Sequence, residues 1–356
     1  YINNTSGNAD TSETWHGSIR FSVDKGNGIK IGFGSNFETH ELGAQPLVLR
    51  NGGDFYDRST DFDEYTEIDR VQQFLKVESE LDGFNLYSIT NRNDWSMNPN
   101  RVDLDTSSTP DQTSVIVQDQ TEWTQELRIE SEQGSEIDWV LGAFYSDSEI
   151  EGDATRKFGF LTITEKTVYT LESQNFALFT SIGKDISDAD YILFGLRYDN
   201  FEKKINRTKD GVDFVYDPGL ATFIPTPHPT DNFSDSNEFD SFSPTINWER
   251  KITEGLTGNL RTTYSKKPGG FSAYTRTDSQ IRFSEEETLS YEIGLLFTPS
   301  ESWGLNVTAY LNEIENYQFE LPEPNPNLIS TDYYVDNAEE VTAQGIEIEG
   351  FLKPSE

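Results

Sequence analysis

The sequence predicts an all-β fold, an antiparallel transmembrane β-barrel of which this chain carries about thirteen strands. Three observations lead there. Runs of alternating polar and apolar residues recur along all 356 positions. The gaps between the runs alternate between short turns and long, acidic, Pro- and Asn-containing stretches. No run reaches the ~18 apolar residues that a transmembrane helix needs, although the chain is rich in strand-forming bulk, with 13% aromatics against only 34% hydrophobic residues.

Taken in order, alternation places strands at roughly 14–23, 28–37, 70–80, 83–93, 122–132, 136–147, 172–183, 190–202, 240–250, 255–266, 287–298, 302–313 and 344–353. The short gaps carry turn chemistry: Asp24-Lys25-Gly26-Asn27, Leu81-Asp82-Gly83, Gln133-Gly134-Ser135, Lys184 to Ala189, Thr253-Glu254-Gly255 and Pro299-Ser300-Glu301. Gly and Asp-Gly steps supply the positive φ that tight hairpins require. The long gaps, 38–69, 94–121, 148–171, 203–239, 267–286 and 314–343, all fall at the opposite end. Short turns at one end and long loops at the other is the layout of an outer-membrane barrel.

Alternation alone leaves a soluble sandwich open, because a half-buried strand has the same period. In the stretch Thr121 to Ile150, Leu127, Ile129, Trp139, Leu141, Ala143 and Tyr145 share one face while Glu126, Arg128 and Glu130 share the other. Two further features favour lipid on the apolar side. Runs of ten or so residues exceed the soluble mode of about five to six. Trp15, Trp123, Trp139, Tyr145, Tyr198, Trp248, Tyr291 and Trp303 sit near strand ends, where an interfacial girdle belongs. The charged set, Glu126, Arg128, Glu130, Arg197, Glu292, Glu347 and Glu349, is then expected to line the lumen. Arg128 between two glutamates fits either a ladder for docking an internal plug or a cross-strand charge pair inside the lumen.

The totals exclude much else. There are no cysteines and only His16, His40 and His228, so disulfide, thiolate and His-cluster chemistry are absent. A formal charge of −36, from 63 acids and 27 bases, argues against nucleic acid or an anionic membrane surface as partner. A solubilising coat is the plain reading of the acids, and divalent cation binding by acidic loops the sharper one; the run Asp54 to Asp69 lacks calcium-loop spacing. No catalytic constellation stands out, and carboxylates are too numerous for a glycosidase-like pair to mean anything. No metal site or cofactor is expected. Residue 1 is Tyr and neither end shows a signal segment or a closing strand, so the chain reads as an interior piece of a longer protein.

Several segments carry a resemblance. Leu86-Tyr87-Ser88-Ile89-Thr90 with Asp103-Leu104-Asp105, Gln125-Glu126-Leu127-Arg128-Ile129, Trp139 to Tyr145, Gln174 to Phe179, Phe194-Gly195-Leu196-Arg197-Tyr198-Asp199 and Phe242-Ser243-Pro244 stand in an order and spacing similar to the barrel of TonB-dependent outer-membrane receptors. Tyr264 to Phe271, Tyr291-Glu292-Ile293-Gly294, Asn337-Ala338 and Gly345 to Glu349 continue it, although Lys267 stands where the family usually has Gly. The resemblance implies that residues 1–356 are part of a barrel of about 22 strands, with the N-terminal plug, the first strands and the last strands not included. It implies energy-coupled import across the bacterial outer membrane, most readily of a ferric siderophore or other metal chelate, by a monomer that TonB drives through the missing plug. A secreted carbohydrate-binding β domain and a passive porin are the alternatives.

Such receptors bind their ligand at loop tips and do not catalyse. Aromatic rings that stack and bases that donate to an anionic chelate are the candidate contacts. The aromatic candidates are Trp95, Phe160, Tyr169, Tyr216, Tyr274, Tyr317 and Tyr333. The basic ones are Lys203, Lys204, Arg207, Lys266, Lys267 and Arg276. For any single one, a rim anchor or a solvated loop position is the plain reading.

Overall fold

The computed structural model describes residues 2–3, 11–43, 57–58, 60–109, 112–158, 163–275, 278–322 and 333–353. One antiparallel sheet dominates. Its strands, in chain order, are β1 (Ser12–Asp24), β2 (Ile29–Gly43), β3 (Tyr65–Leu81), β4 (Phe84–Asp103), β5 (Gln112–Ser131), β6 (Asp138–Phe158) and β7 (Ile163–Asp185). They continue with β8 (Asp190–Asp217), β9 (Thr222–Thr253), β10 (Leu256–Lys267), β11 (Glu286–Ser300), β12 (Trp303–Pro322) and β13 (Tyr333–Leu352). The 13 strands form a simple meander, each bonded to its sequence neighbours, with β1 and β13 as the edges.

All thirteen expected strands are present, and the tight connections fall where turn residues were read. Between β3 and β4 the register runs Leu81↔Phe84, so Asp82-Gly83 alone makes the turn, and Gly83 has φ 87°. A side chain there would be strained, which is why the Asp-Gly step specifies this hairpin.

The strands run far beyond the expected limits at the other end. β8 spans 28 residues and β9 32, where crossing hydrocarbon takes about 9–11. Their upper halves pair without interruption from Lys203↔Asn237 to Lys209↔Asp231, inside the stretch 203–239 that the sequence reading assigned to a loop. There the outer face is wet and the inner face, though buried, carries Arg207 and Lys209 beside Ile205, so hydrophobic alternation vanishes. Backbone ladders and polar rungs persist, such as Thr208 Oγ1 donating to Asn232 Oδ1 at 2.9 Å and Ser234 Oγ donating to Asn206 Oδ1 at 2.6 Å.

The two faces differ as a membrane barrel requires. Leu127, Leu141, Leu178, Phe194, Ile293 and Ile348 lie on one side and remain 49%, 52%, 49%, 44%, 58% and 68% exposed. Large apolar side chains are thus the open ones, which removes the soluble-sandwich reading and with it a secreted β domain that hides its core. Rings frame this band. At the short-turn end Trp303 meets Phe297 edge-on at 5.2 Å and Trp248 Nε1 donates to Asp190 at 3.1 Å. Nearer the long end Tyr198 packs on Phe242 at 4.9 Å and donates its hydroxyl to Asp240 at 2.7 Å. An apolar body with a hydrogen-bonding tip suits the lipid–water boundary.

The opposite face carries the charged set. Register links Glu78, Tyr87, Arg128, Gly142, Phe179 and Arg197 in one rung across six strands. Arg128 lies over the Tyr87 ring at 4.8 Å and between Glu126 and Glu130 at 3.4 and 3.5 Å. Its partners are thus its own i±2 neighbours along β5. Arg197 grips Asp199 through Nε and Nη2 at 2.8 and 2.7 Å and lies 5.4 Å from the Phe144 ring centre. Phe179 fits because Gly142 has no side chain, since a Cβ there would come within 2.2 Å of the ring. Glu292 faces Arg261 at 4.0 Å, and Glu347 and Glu349 follow on the same face of β13 through Thr308 and Asn306.

Candidate functional site

Above the membrane band, the segment linking β10 to β11 folds back onto the inner face. It leaves β10 through Pro268-Gly269-Gly270, forms a two-residue pairing of Gly270–Phe271 with Arg282–Phe283, and includes a single short helix, α1 (Asp278–Ile281). The glycines set its path. A Cβ on Gly269 would meet the Phe283 carbonyl oxygen at 2.3 Å and the Phe239 ring at 2.8 Å, so the loop backbone lies flush against the wall only because no side chain intervenes.

An apolar patch seats the loop. Phe271, Ala273 and Ile281 of the loop bury with Tyr169 of β7 and Ile205 of β8, and Phe233 and Leu171 pack at the rim. This is the main buried apolar cluster among the described residues, and it joins a loop to a wall. Its small size means that polar latches share the work. Arg207, fully enclosed, donates to the carbonyls of Ala273 at 3.5 Å and of Thr275, and pairs with Asp231. Lys209 donates to the Tyr274 carbonyl and lies 3.6 Å from Glu165, which in turn lies 3.8 Å from Arg156. Arg282 pairs with Asp235. Three successive loop carbonyls are therefore held by two wall cations, and charge-assisted donors of this kind are about twice as strong as neutral ones.

The loop is also stitched to the strands beyond it. Val335 N–H donates to Ser272 Oγ at 2.9 Å. Asn337 donates to the carbonyls of Ser284 and Asn316 at 3.1 and 2.7 Å and accepts from the Ser284 N–H at 2.8 Å. Gln318 reaches the Pro268 and Ser284 carbonyls at 3.0 and 2.9 Å. The loop thus bars the inner face from β7 to β13. Tyr169 is sealed beneath it, and burial together with Tyr274 holds its hydroxyl well above the usual tyrosine range.

The expected contact residues are sorted by strand parity. Trp95, Tyr169, Arg207 and Lys267 fall on the inward set, and Tyr274 joins them from the loop. Lys204 follows the parity of Phe194 and Tyr198 and faces outward, paired with Glu202 at 2.8 Å; its neighbour Lys203 takes the inward place. Lys266 likewise shares the face of Leu260 and pairs with Glu287 at 2.9 Å. Tyr317 and Tyr333 are exposed near the β13 edge. Phe160, Arg276 and the Tyr216 side chain lie outside the described residues. Sequence reading did not single out Lys209, Glu165, Asp231 or Ile205; the unexplained apolar positions Phe271, Ala273 and Ile281 in a polar stretch were the available sign that the loop folds inward.

A second buried polar corner caps β3 and β4. Glu64 Oε1 accepts from the Asp103 N–H at 3.0 Å, and Asp103 Oδ1 accepts from the Asp105 and Thr106 N–H groups, both at 3.1 Å. Burial, then Asp105, pushes the Asp103 carboxyl up to about 6. Among the described residues no three His, Cys, Asp or Glu side chains come together as a metal ligand set.

Comparison with known proteins places the whole arrangement. The chain is similar to the ferric yersiniabactin uptake receptor FyuA from Yersinia pestis, with TM-score 0.77 and 15% identity over 98% of this chain and 51% of that one. It is also similar to the siderophore receptor PiuA from Acinetobacter baumannii, with TM-score 0.63 and 14% identity over 98% and 55%. The copper transporter OprC aligns at TM-score 0.65 and 12% identity over 97% and 51%. Identities this low carry the fold, and the chain spans about half the length of the receptors it matches. Residues 3–353 match the family described as TonB dependent receptor-like, beta-barrel, and with its outward apolar band, girdled ends and inward-folded loop the chain belongs to that family of outer-membrane transport receptors.

Proposed function

We propose that this chain is part of the barrel wall of an energy-coupled importer whose cargo is a ferric siderophore. In this reading residues 1–356 belong to one barrel domain of about 22 strands. A plug elsewhere in the parent protein fills the lumen and receives force from TonB, and the receptor works as a monomer. The observation that carries the reading is the loop barring the inner face, latched to the wall by Arg207 and Lys209 through its own carbonyls, as an importer that must close its lumen requires. At the same end Trp95, Lys203 and Lys267 take inward places without being sealed, and rings and cations so placed suit an anionic, aromatic chelate. The siderophore receptors among the similar structures support the same cargo class.

The test is growth under iron limitation of a strain lacking the parent gene, fed a panel of ferric chelates, with and without TonB. Loss of growth on one chelate, restored by the gene only when TonB is present, is the expected result. Indifference to every iron source combined with a response to a vitamin or a glycan would reassign the cargo. Uptake that persists without TonB would mean a passive porin.

A further inference from the structure

The turn that leads out of β4 carries a side-chain oxygen at every second position. Asp103, Asp105, Ser107 and Thr109 have the spacing of the first, third, fifth and seventh positions of a calcium-binding loop. Ser108 and Ser114 stand where such loops have their sharp-turn glycine and their closing glutamate, and the fold brings an acid from another segment instead. Glu64, just before β3, accepts from the Asp103 N–H through Oε1 at 3.0 Å. The acidic run Asp54 to Asp69 lacks calcium-loop spacing within itself, but it lends one carboxylate to a turn that has it.

The backbone winds around these side chains. Asp105 Oδ1 accepts from the Ser107 N–H at 2.9 Å and Oδ2 from the Gln112 N–H at 2.6 Å, and Ser107 Oγ accepts from the Thr109 N–H at 3.1 Å. Such turns are common and by themselves point to no ligand. The Asp103 carboxyl does. Asp103 is 1% exposed, and its Oδ1 is committed to the Asp105 and Thr106 N–H groups, whereas Oδ2 is equally enclosed and has no hydrogen-bond partner. Burial, and then the charges of Asp105 and Glu64, work against its ionised form. A carboxylate oxygen sealed without a donor costs free energy, and a cation beside it removes that cost. Among the described residues no base pairs with Asp103 or Asp105. Arg101, two places away, donates Nε to the Asp63 carbonyl at 3.0 Å and lies over the rings of Phe62 and Tyr65.

We propose that Asp103, through Oδ2, and Asp105 hold a calcium ion whose shell is completed by neutral oxygens of the same turn and by water. Among the described residues no three acids or histidines share one ligand set, so the ion has to accept hydroxyl, carbonyl and water oxygens beside two carboxylates. Calcium does so, taking about six to eight oxygens in flexible geometry, whereas zinc asks for a closed tetrahedron with nitrogen or sulfur. Ser107 Oγ and the Thr109 carbonyl are the neutral oxygens in place. Glu64 acts as a positioning residue, fixing the Asp103 backbone from behind. The turn joins β4 to β5 at the long-loop end, so the ion comes from the external medium and ties that loop to the segment before β3. The site does not depend on the cargo proposed above.

The test uses the receptor expressed from its complete reading frame, purified in detergent and stripped with EDTA. Calcium chloride is added, with magnesium chloride and, at matched ionic strength, sodium chloride as controls. Calorimetry reads the tightest calcium step, and amide exchange at pH 7 reads residues 103–109. Calcium is expected to slow exchange there several-fold while sodium does not. Affinity should fall by about tenfold or more in Asp103→Asn and in Asp105→Asn. Glu67→Gln, which alters an exposed acid on the outer face of β3, should bind as the parent does. A reversal separates a ligand from a merely structural residue. Without calcium, Asp103→Asn removes a buried charge, so its corner should exchange more slowly than the parent's; with calcium at about 1 mM, the upper range for extracellular sites, the parent should be the slower. An Asp103→Asn corner that exchanges faster under both conditions would show a structural role alone and overturn the site. So would a parent whose 103–109 amides ignore calcium, or equal calcium affinity in the parent and both Asn variants. An equal response to magnesium would overturn the assignment to calcium. Heat-modifiable migration of each variant checks that the barrel has formed.

Discussion

Tyr169 of β7 and Tyr274 of the inward-folded loop meet edge to face, with ring centres 5.6 Å apart at 79° and hydroxyl oxygens 3.1 Å apart. Tyr169 also reaches Gln118 Oε1 at 3.3 Å. If Tyr169 donates to that amide oxygen, Tyr274 must donate to Tyr169, and one contact carries both stacking and a hydrogen bond from wall to loop. Tyr274→Phe should cost about 1 kcal/mol of loop docking, and Tyr274→Ala a further 0.5–1.5 kcal/mol, roughly, for the ring pair. Hydrogen exchange of amides in 268–285 reads this directly. Unchanged protection in Tyr274→Ala would show that the loop is held by other contacts alone.

The loop's approach to the wall makes a second prediction. In Gly269→Ala the new methyl would meet a backbone carbonyl, Phe283 O, at 2.3 Å as well as the Phe239 ring. A ring can turn aside but that carbonyl cannot, so Phe239→Leu should restore little. The variant is expected to fold its barrel normally and to be cut by protease within 268–285 several-fold faster than the parent. Gly17→Ala, where a Cβ meets nothing within 4 Å, is the matched control and should behave as wild type.

What could be read in advance follows the physics of each region. Within the membrane one face meets lipid, so period-two alternation survives and located β6 from Trp139, Leu141, Ala143 and Tyr145 alone. Above it, β8 and β9 continue through Lys203 to Lys209 and Asp231 to Phe239 with water on the outer face and the cations Arg207 and Lys209 buried on the inner one, and no pattern of hydrophobicity marks a strand there. The same parity that identified the band assigns Lys203 and Lys204 to opposite faces, but only once the strand is known to run that far. The latch residues Glu165, Lys209 and Asp231 were not legible, because Lys209 comes opposite Asp231 on β9 and beside Glu165 on β7 only through the register of strand stretches that carry no hydrophobic pattern.

The Asp103 corner predicts a pH response. Its carboxyl is raised to about 6 by burial and by Asp105 and Glu64, while an unfolded Asp titrates near 4. Between those values the folded corner holds a proton that the unfolded segment has released, so stability is greatest below about pH 4 and falls as pH climbs towards about 6. Asp103→Asn keeps an acceptor for the Asp105 and Thr106 N–H groups and carries no charge. It should therefore stabilise the corner at neutral pH and flatten the profile. Amide exchange of 60–66 and 103–109 between pH 5 and pH 7, corrected for intrinsic rates, measures it; a wild-type corner that tightens with rising pH would contradict the burial of this group.

The outward band can be tested with two adjacent residues of β6. Leu141 is 52% exposed between the outward rings Trp139 and Tyr145, whereas Val140 faces Glu130 on the inner side. If hydrocarbon covers the first, Leu141→Arg places a charge in it and should cost about 2–4 kcal/mol, whereas an arginine at position 140 enters a polar interior beside a carboxylate and should cost little. Assembly measured by heat-modifiable migration in the outer-membrane fraction should drop for Leu141→Arg and hold for Val140→Arg. The reverse order would mean that water meets the apolar face, and the assignment of the charged rung from Arg128 to Arg197 to the lumen would fall with it.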